Sequence, residues 1–285
     1  LTAPSILAQA LRYRAILAKA GVPMLTGWVP VAAVGGGAVD AVAVAPVDEG
    51  GRPDHARGRS FACDLLVAGF GLAPALELAR LAGARLVHDA VCGGWTLARG
   101  ATFETTVPGV YAAGDGASIG GVELALVEGR LAAHAVARKL GRGAGDPERA
   151  TALRGRWRRL DRFRRALAAV YRPPPSYLHL LTPETVVCRC EDVTRADIDR
   201  RGAEGATSAF QLKATTRMTM GRCQGRNCLP TLAALVAAAT GADPAEVALP
   251  RPRPPVRPVP IGDLGFEDLP PPDLPADPHL PRARR

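Results

Sequence analysis

The sequences ETVVCRCEDVTRADI (184–198) and MGRCQGRNC (220–228) contain four of the six cysteines of this 285-residue chain. Cys188 and Cys190 form a Cys-x-Cys pair, and Cys223 and Cys228 form a Cys-x4-Cys pair. Four thiolates on two short loops can surround one metal site, because soft iron and zinc ions prefer sulfur ligands. The spacing therefore predicts a metal centre built from these four side chains.

The residues around the second pair suit such a centre. Gly221 and Gly225 flank Cys223 and permit tight turns that direct backbone N–H groups at sulfur. Three cationic side chains nearby are expected to offset the negative charge of a tetrathiolate site: Lys213, Arg217 and Arg222. Zinc is the main alternative metal, although zinc ribbons usually carry two Cys-x2-Cys hooks. Four free thiols without a ligand are the other alternative.

The segment 184–249 has the pattern of a small separate unit. TVVCRC (185–190) predicts a strand, and Thr194 with Asp197 predicts a capping box at a helix start. A further short helix is predicted over 205–217, and an apolar helix after Cys228 is predicted to end at Gly241. We expect a mostly helical domain with the cysteines at its loops.

These motifs resemble a known iron–sulfur domain. The stretch VVCRCEDVTRADI…MGRCQGRNC resembles the [2Fe–2S] domain of bacterioferritin-associated ferredoxins, and more closely the copy fused to flavoprotein subunits. Those subunits belong to opine, nopaline and octopine oxidases, hydroxyproline dehydrogenases and hydrogen cyanide synthase. The resemblance implies that the four cysteines hold a [2Fe–2S] cluster. Over the rest of the chain it is looser.

A second motif, GVYAAGDGASIGG (109–121), predicts a short buried strand, a Gly-rich turn and a helix from about Gly121 to Leu140. It resembles the second flavin-contact motif of glutathione-reductase-like flavoproteins, which implies that Asp115 binds a hydroxyl of FAD. The helix N-terminus would then stabilise negative charge on the reduced flavin. A plain turn between strand and helix is the alternative. The candidate cofactor-binding residues are Gly114, Asp115, Gly116, Ile119, Gly120 and Gly121.

The N-terminal part predicts the rest of an α/β unit. We expect a helix over 1–22 and either a hairpin or a wide turn through Gly35–Gly37. We also expect a strand at FACDLLVAG (61–69), buried in a parallel sheet, and a helix over 73–82. Short strands follow at 84–88 and 94–97. Gly69-Phe-Gly71 imitates a dinucleotide fingerprint, but Pro74 stands where its third glycine belongs, so NAD(P) binding by this chain alone is not expected.

The resemblance implies an α/β fold: an incomplete two-dinucleotide-binding-domain flavoprotein, glutathione-reductase-like, followed by the small [2Fe–2S] domain. The Gly-x-Gly-x-x-Gly sequences that such flavoproteins use for FAD and NAD are missing from the 285 residues. We therefore expect a fragment of a larger subunit, with an incomplete FAD site. The predicted division is 1–146 for the FAD/NAD(P)-binding part, 147–183 for a basic helix and Pro-rich linker, 184–249 for the iron–sulfur domain, and 250–285 for a Pro-rich tail with a disordered end.

The net charge of +9 is concentrated between Arg138 and Arg172, a segment that contains twelve Arg or Lys residues and three acidic residues. A solvated helix face explains this segment better than a nucleic-acid site, because no nucleic-acid-binding motif surrounds it. No apolar run is long enough for a membrane span. The first residues do not have the order of a signal peptide, which indicates a cytoplasmic protein. Cys63 and Cys92 are interpreted as bystander thiols.

The function implied is that of an oxidoreductase subunit. Electrons from an amine or amino-acid-type substrate, oxidised in a partner subunit, would pass through FAD and the [2Fe–2S] cluster to an unidentified acceptor. An iron–sulfur or zinc module that docks another protein without catalysis is one alternative, and a fragment without its own function is another. The sequence predicts no catalytic acid, base or nucleophile in this chain.

Overall fold

The computed structural model describes residues 4–143, 146–171 and 175–264. Its N-terminal part begins with helix α1 (Pro4–Lys19), which ends as predicted just before Gly21. An antiparallel sheet follows, with strands β1 (Trp28–Val34), β2 (Ala41–Pro46) and β3 (Arg59–Ala62) in that order. The predicted hairpin between β1 and β2 is confirmed.

The prediction of a buried parallel strand over 61–69 is wrong. Only β3 (Arg59–Ala62) is a strand there, and it pairs antiparallel with β2. Beyond it the chain has no regular structure up to α2 (Glu77–Leu81), which is shorter than the predicted helix. Leu65 is 73% exposed and Val67 is 86% exposed. A buried parallel strand needs a neighbouring strand, and within the described residues none lies beside this run.

The middle of the chain contains a small hairpin. Strands β4 (Leu86–Asp89) and β5 (Gly94–Leu97) pair antiparallel, close to the predicted positions. The predicted strand at GVYAAG is wrong as a regular element, because residues 109–113 form only an isolated bridge between Glu104 and Tyr111. This segment is held instead by separate backbone hydrogen bonds, such as the one that Ala112 N–H donates to the carbonyl of Phe103 at 2.9 Å.

Two long helices pack together after this hairpin. Helix α3 (Val122–Lys139) and helix α4 (Pro147–Tyr171) agree with the two predicted helices. Their shared core is apolar and consists of Phe103, Val127, Leu131, Ala132 and Leu153, with Ala113, Trp157 and Leu160 packed against it. The outer face of α4 carries its arginines into solvent, as the interpretation of a solvated basic face requires.

The cysteine-bearing unit forms the largest core. It contains the hairpin β6 (Val186–Cys188) and β7 (Val193–Thr194), then helices α5 (Arg195–Ala203), α6 (Ala209–Thr216) and α7 (Leu229–Thr240). The predicted capping box at Thr194 and Asp197 is confirmed, as is the end of α7 at Gly241, which is left-handed at φ +72°. The order and type of these elements follow the sequence pattern closely.

The segment after α7 lies against the rest of the molecule. Residues 250–260 contain no helix or strand, in agreement with a Pro-rich strap, and the predicted disordered end over 267–285 lies outside the described residues. In the parts that the structure describes, no helix is both long and apolar enough to cross a membrane. The division into four domains stays a prediction.

Candidate functional site

The first cysteine hook is the turn between β6 and β7. Cys188 is the last residue of β6, pairs with Val193 and is buried at 2% exposure. Cys190 lies two residues on, in the turn, and is half-buried. The turn closes through Asp192, whose φ of +49° is unusual for a residue with a side chain. The hairpin therefore holds both thiols at one end of the unit.

The second hook is the loop from α6 to α7. Cys228 caps the start of α7, accepts the first helical N–H from Leu232 through its carbonyl at 2.8 Å, and is 1% exposed. Cys223 stands five residues earlier and is half-buried. One tight turn encloses Cys223, with Gln224 N–H donating to the Gly221 carbonyl at 2.8 Å. A second follows it, with Arg226 N–H donating to the Cys223 carbonyl at 3.1 Å.

Gly221 brings the two hooks together. A Cβ built on Gly221 would overlap the Cβ of Cys190, so the second hook packs backbone-first against the first. A glycine is required there for close approach, as the sequence predicts for the flanks of Cys223. Gly225, at φ +85°, makes the second tight turn in the same loop.

The four thiols influence one another in two pairs. Cys190 acts on the pKa of Cys223, and Cys188 acts on the pKa of Cys228. Burial, followed by the neighbouring Cys188, raises the pKa of Cys228 to about 12. Burial acts to raise the pKa of Cys223 as well, but hydrogen bonds to its sulfur outweigh burial and lower this pKa. The donors to the Cys223 sulfur are the N–H groups of Asn227, Gly225 and Arg226 together with the Cys190 thiol.

The arrangement does not converge on a single point. In the described ranges, no three His, Cys, Asp or Glu side chains are grouped closely enough to hold one metal ion. A tetrahedral zinc site needs its four ligands around one ion.

The three cationic side chains that were expected to offset the thiolate charge lie in different surroundings. Arg217 binds Glu191 across the two hooks at 2.9 Å, and Lys213 donates to the carbonyl of Arg251 at 3.4 Å. Arg222 is exposed. The sequence did not reveal Arg226, which lies inside the Cys-x4-Cys loop and binds the buried Glu77 of α2 at 3.2 Å. This ion pair attaches the second hook to the preceding unit.

The Pro-rich strap (residues 250–260) also joins the second hook to helix α2. Arg80 of α2 is 8% exposed and donates to the carbonyls of Leu249 at 3.3 Å and Pro250 at 2.5 Å. Gln224, in the second hook, accepts from the backbone N–H of Arg253 at 2.9 Å. The loop between Cys223 and Cys228 is therefore held both by α2 and by the strap.

The six candidate flavin-contact residues lie in one turn before α3. Gly114 begins it at φ +72°, and a Cβ there would come within 2.9 Å of the Ala125 side chain, so the turn packs closely on the helix. The Asp115 carboxylate accepts from Gly120 N–H at 2.9 Å and Gly121 N–H at 3.1 Å. Gly121, at φ +80°, is the N-terminal cap of α3 and has no capping side chain. Gly116 and Ile119 complete the turn.

A buried carboxylate that the sequence did not single out anchors this turn. Glu128 of α3 is 2% exposed and accepts from the Gly114 N–H at 2.8 Å. Its two oxygens also bind both terminal nitrogens of Arg99, at 2.6 and 2.9 Å, and Trp157 Nε1 of α4 at 3.1 Å. Glu128 thus ties the turn, the chain after β5 and helix α4 together. Only its position on the helix was visible in the sequence.

Cys92 has partners beside the same turn. Its sulfur accepts from Arg164 Nη1 at 2.9 Å, and burial, together with Asp89, raises its pKa. The Arg164 side chain also passes within 3.3 Å of where a Cβ on Gly120 would lie. Cys63 is half-buried and unbonded to another cysteine. Cys92 is therefore part of a local polar cluster, whereas the sequence suggested a bystander.

Two cavities lie in the unit that contains the turn. One of about 180 Å³ is lined by Phe103, Leu131 and Trp157 among others, and one of about 450 Å³ lies beside Arg85 and Thr105. Neither is lined by the Gly114–Gly121 turn or by the four cysteines of the hooks. Pockets for drug-sized ligands commonly enclose about 300–1,000 Å³. The turn presents its backbone at a surface.

Comparison with known proteins finds relatives of this chain among redox enzymes. Residues 182–267 match the sarcosine oxidase A3 domain. The chain is 34% identical to hydrogen cyanide synthase subunit HcnB of Pseudomonas aeruginosa over 94% of its own length and 57% of that protein. It is 36% identical to the A subunit of opine oxidase from Agrobacterium tumefaciens, over 68% of this chain and 39% of that protein. These relatives are oxidoreductase subunits.

The fold has a relative of known structure. L-proline dehydrogenase from P. horikoshii superposes with a TM-score of 0.66 at 23% identity, covering 90% of this chain and 48% of that one. This likeness supports the mixed α/β fold. The chain spans a little over half the length of the HcnB proteins it matches, with 58% for that of Pseudomonas protegens.

Proposed function

We propose that this chain is the electron-transfer part of a flavin-dependent oxidoreductase subunit, with a [2Fe–2S] cluster held by Cys188, Cys190, Cys223 and Cys228. The observation that carries the proposal is the pairing of the four thiols on two hooks that meet at Gly221. When bound, the cluster supplies one-electron transfer.

The surroundings of the thiols fit such a group. Three backbone N–H groups point at the Cys223 sulfur, and the Thr219 N–H points at that of Cys228. Donors of this kind disperse the negative charge of thiolates and stabilise them. Iron is proposed over zinc because Cys-x-Cys with Cys-x4-Cys departs from the two Cys-x2-Cys hooks that zinc ribbons usually carry.

We further propose that the turn with Gly114, Asp115, Gly116, Ile119, Gly120 and Gly121 contacts FAD. Its Gly-rich backbone is accessible, and it leads into the uncapped N-terminus of α3, where N–H groups favour negative charge. Asp115 orders this turn through Gly120 and Gly121, so its role is to shape the backbone as well as to accept a ligand hydroxyl. NAD(P) binding is not part of the proposal.

The substrate and partner follow from the relatives as proposals. HcnB and the opine oxidase relative are both named as subunits, and the A3 match and the proline dehydrogenase likeness point to amine or amino-acid chemistry. We propose that a partner subunit oxidises such a substrate and that electrons reach the cluster through the flavin. Six unpaired cysteines suit a reducing compartment, so we place the protein in the cytoplasm.

The first experiment is iron, sulfide and zinc analysis of anaerobically purified protein, with visible and EPR spectra before and after dithionite. We expect about two irons and two sulfides per chain, as a [2Fe–2S] cluster contains, and a reducible signal. Cys223→Ser should lose it, while the matched control Cys63→Ser should keep it, since Cys63 lies outside the hooks. Adding FAD to the same preparation, with Asp115→Asn beside it, tests the turn by flavin fluorescence.

The outcomes separate the alternatives. One zinc per chain and no sulfide would overturn the electron-transfer proposal and favour a docking module. Iron bound equally by Cys223→Ser would show that the hooks are not the site. A full cluster together with an FAD response that Asp115→Asn leaves unchanged would keep the iron–sulfur proposal and remove the flavin role of Asp115.

A further inference from the structure

Thr219 occupies an unfavourable backbone position beside the second hook. Its φ is +69°, a left-handed value that is costly for a β-branched side chain. Its side chain is also deeply buried, at 4% exposure, next to the fully buried Met218. A glycine would accept this conformation without strain. A purely structural role therefore gives no reason for a threonine here.

The hydroxyl of Thr219 adds a second cost. Oγ1 is fully buried and has no hydrogen-bond partner among the residues that the structure describes. The sulfur atoms of the four cysteines are included, so no thiol accepts its proton. Buried hydroxyls are almost always paired, because an unpaired one loses its bond to water without replacement. The structure therefore identifies a donor that needs an acceptor.

The position of Thr219 restricts what that acceptor is. Its own backbone N–H donates to the Cys228 sulfur. On the other side, a Cβ on Gly225 would lie 3.1 Å from the Thr219 Cβ, so the side chain packs against the loop between Cys223 and Cys228. The hydroxyl is one rotatable bond, χ1, from a Cα whose amide already reaches the sulfur site.

We propose that the Thr219 hydroxyl would donate a hydrogen bond to a sulfur atom of the bound [2Fe–2S] cluster and thereby raise its reduction potential. This rests on the proposed function of the four cysteines. Reduction adds one electron and one negative charge, and a donor to sulfur stabilises the reduced form more than the oxidised one. Thr219 is a positioning residue and takes no part in bond making.

The test compares three variants of the full chain, each purified anaerobically. Thr219→Val keeps the shape and the backbone strain but removes the hydroxyl. Thr219→Ser keeps the hydroxyl, and Thr219→Gly removes the hydroxyl together with the strain. Thr215→Val, in exposed surroundings on α6, is the matched control, since its hydroxyl bonds only the Gln211 carbonyl. The readouts are iron and sulfide content, the EPR-monitored midpoint potential, and thermal unfolding.

We expect reduction to become about tenfold less favourable in Thr219→Val and Thr219→Gly, which is ~59 mV for a one-electron couple. Thr219→Ser and Thr215→Val should keep the wild-type potential. Thermal unfolding of Thr219→Gly beside Thr219→Val measures the balance between relieved left-handed strain and lost side-chain burial.

A full complement of iron and sulfide in Thr219→Val with a wild-type potential would overturn this inference while leaving the cluster proposal standing. Wild-type protein without iron and sulfide would overturn both. If Thr219→Val loses its cluster, the potentials of Thr219→Gly and Thr219→Ser decide: equal values for these two contradict the hydroxyl's role.

Discussion

The cysteine unit and the Gly114–Gly121 turn are held by different forces. Beneath the hooks lies an apolar core of thirteen buried residues, including Leu232 at 0% exposure, so burial of hydrocarbon fixes the loops. The start of the turn is held in addition by one buried carboxylate, Glu128, which binds Gly114, Arg99 and Trp157. An apolar core loses stability in proportion to the burial and the cavity that a truncation changes. A buried ion pair fails when either partner is removed.

The sharpest test of this difference is Glu128→Ala. The change leaves Arg99, at 15% side-chain exposure, without its partner and releases the Gly114 and Trp157 donors. We expect the free energy of unfolding of the turn's unit to fall by about 3–5 kcal/mol, the usual cost of breaking a buried pair. Urea denaturation followed by tryptophan fluorescence measures it, because Trp157 is in the network.

Glu123→Ala is the matched control for Glu128→Ala. Glu123 is on the same helix and also pairs with an arginine, Arg156, but both side chains are largely exposed. Exposed pairs contribute about 0–1 kcal/mol. Equal losses from the two variants would mean that the Glu128 network does not hold the turn.

The cysteine unit offers the corresponding test, Leu232→Ala. This residue lies at the centre of the apolar core, so truncation should lower the free energy of unfolding by about 2–5 kcal/mol through lost burial and a residual cavity. Leu65→Ala, at 73% exposure, should change it by well under ~0.5 kcal/mol. The measurement is chemical denaturation of both variants and the wild type, all without metal.

The two leucine variants test whether each side chain is as buried or as exposed in solution as it is in the structure. A large loss from Leu65→Ala would show that this apolar run is covered in solution, contrary to its exposure in the structure. A small loss from Leu232→Ala would instead show that the core under the hooks is loosely packed, and would break the contrast with the turn.

The sequence was most informative where structure is local. The Thr194 capping box and the helix end at Gly241 each depend on residues within a few positions, and the structure confirms both. The ligand role of the cysteines stays a proposal. Local chemistry of this kind is visible in a single sequence because propensity and hydrogen bonding act over one turn.

The sequence failed where the outcome depends on distant partners. The apolar run 61–69 has the composition of a buried strand, but a strand is buried only when neighbours cover it. Glu128 has no motif, since its partners Arg99 and Trp157 are each 29 residues away. The Glu77–Arg226 pair joins residues 149 apart. Such contacts are set by tertiary packing, which a pattern along the chain does not encode.

The smallest expected effect concerns the surface of the turn's unit, where Glu104 binds Lys139 at 2.6 Å. Hydrogen bonding to Lys139 and to the Gly109 N–H lowers the pKa of Glu104, and the same contact raises the pKa of Lys139. The ionised Glu104 carboxylate contributes to the free energy of unfolding above its ordinary pKa of 4.5. This contribution is lost as the pH falls through the lowered pKa. The ammonium's contribution is lost only as the pH rises through its raised pKa.

Glu104→Gln should therefore be slightly less stable than wild type near neutral pH and equal to it in strong acid. Denaturation of both proteins across this pH range measures the difference, and a gap that widened on acidification would contradict the pairing. Because both groups are exposed and screened by salt, this pair fine-tunes a unit whose stability depends on Glu128.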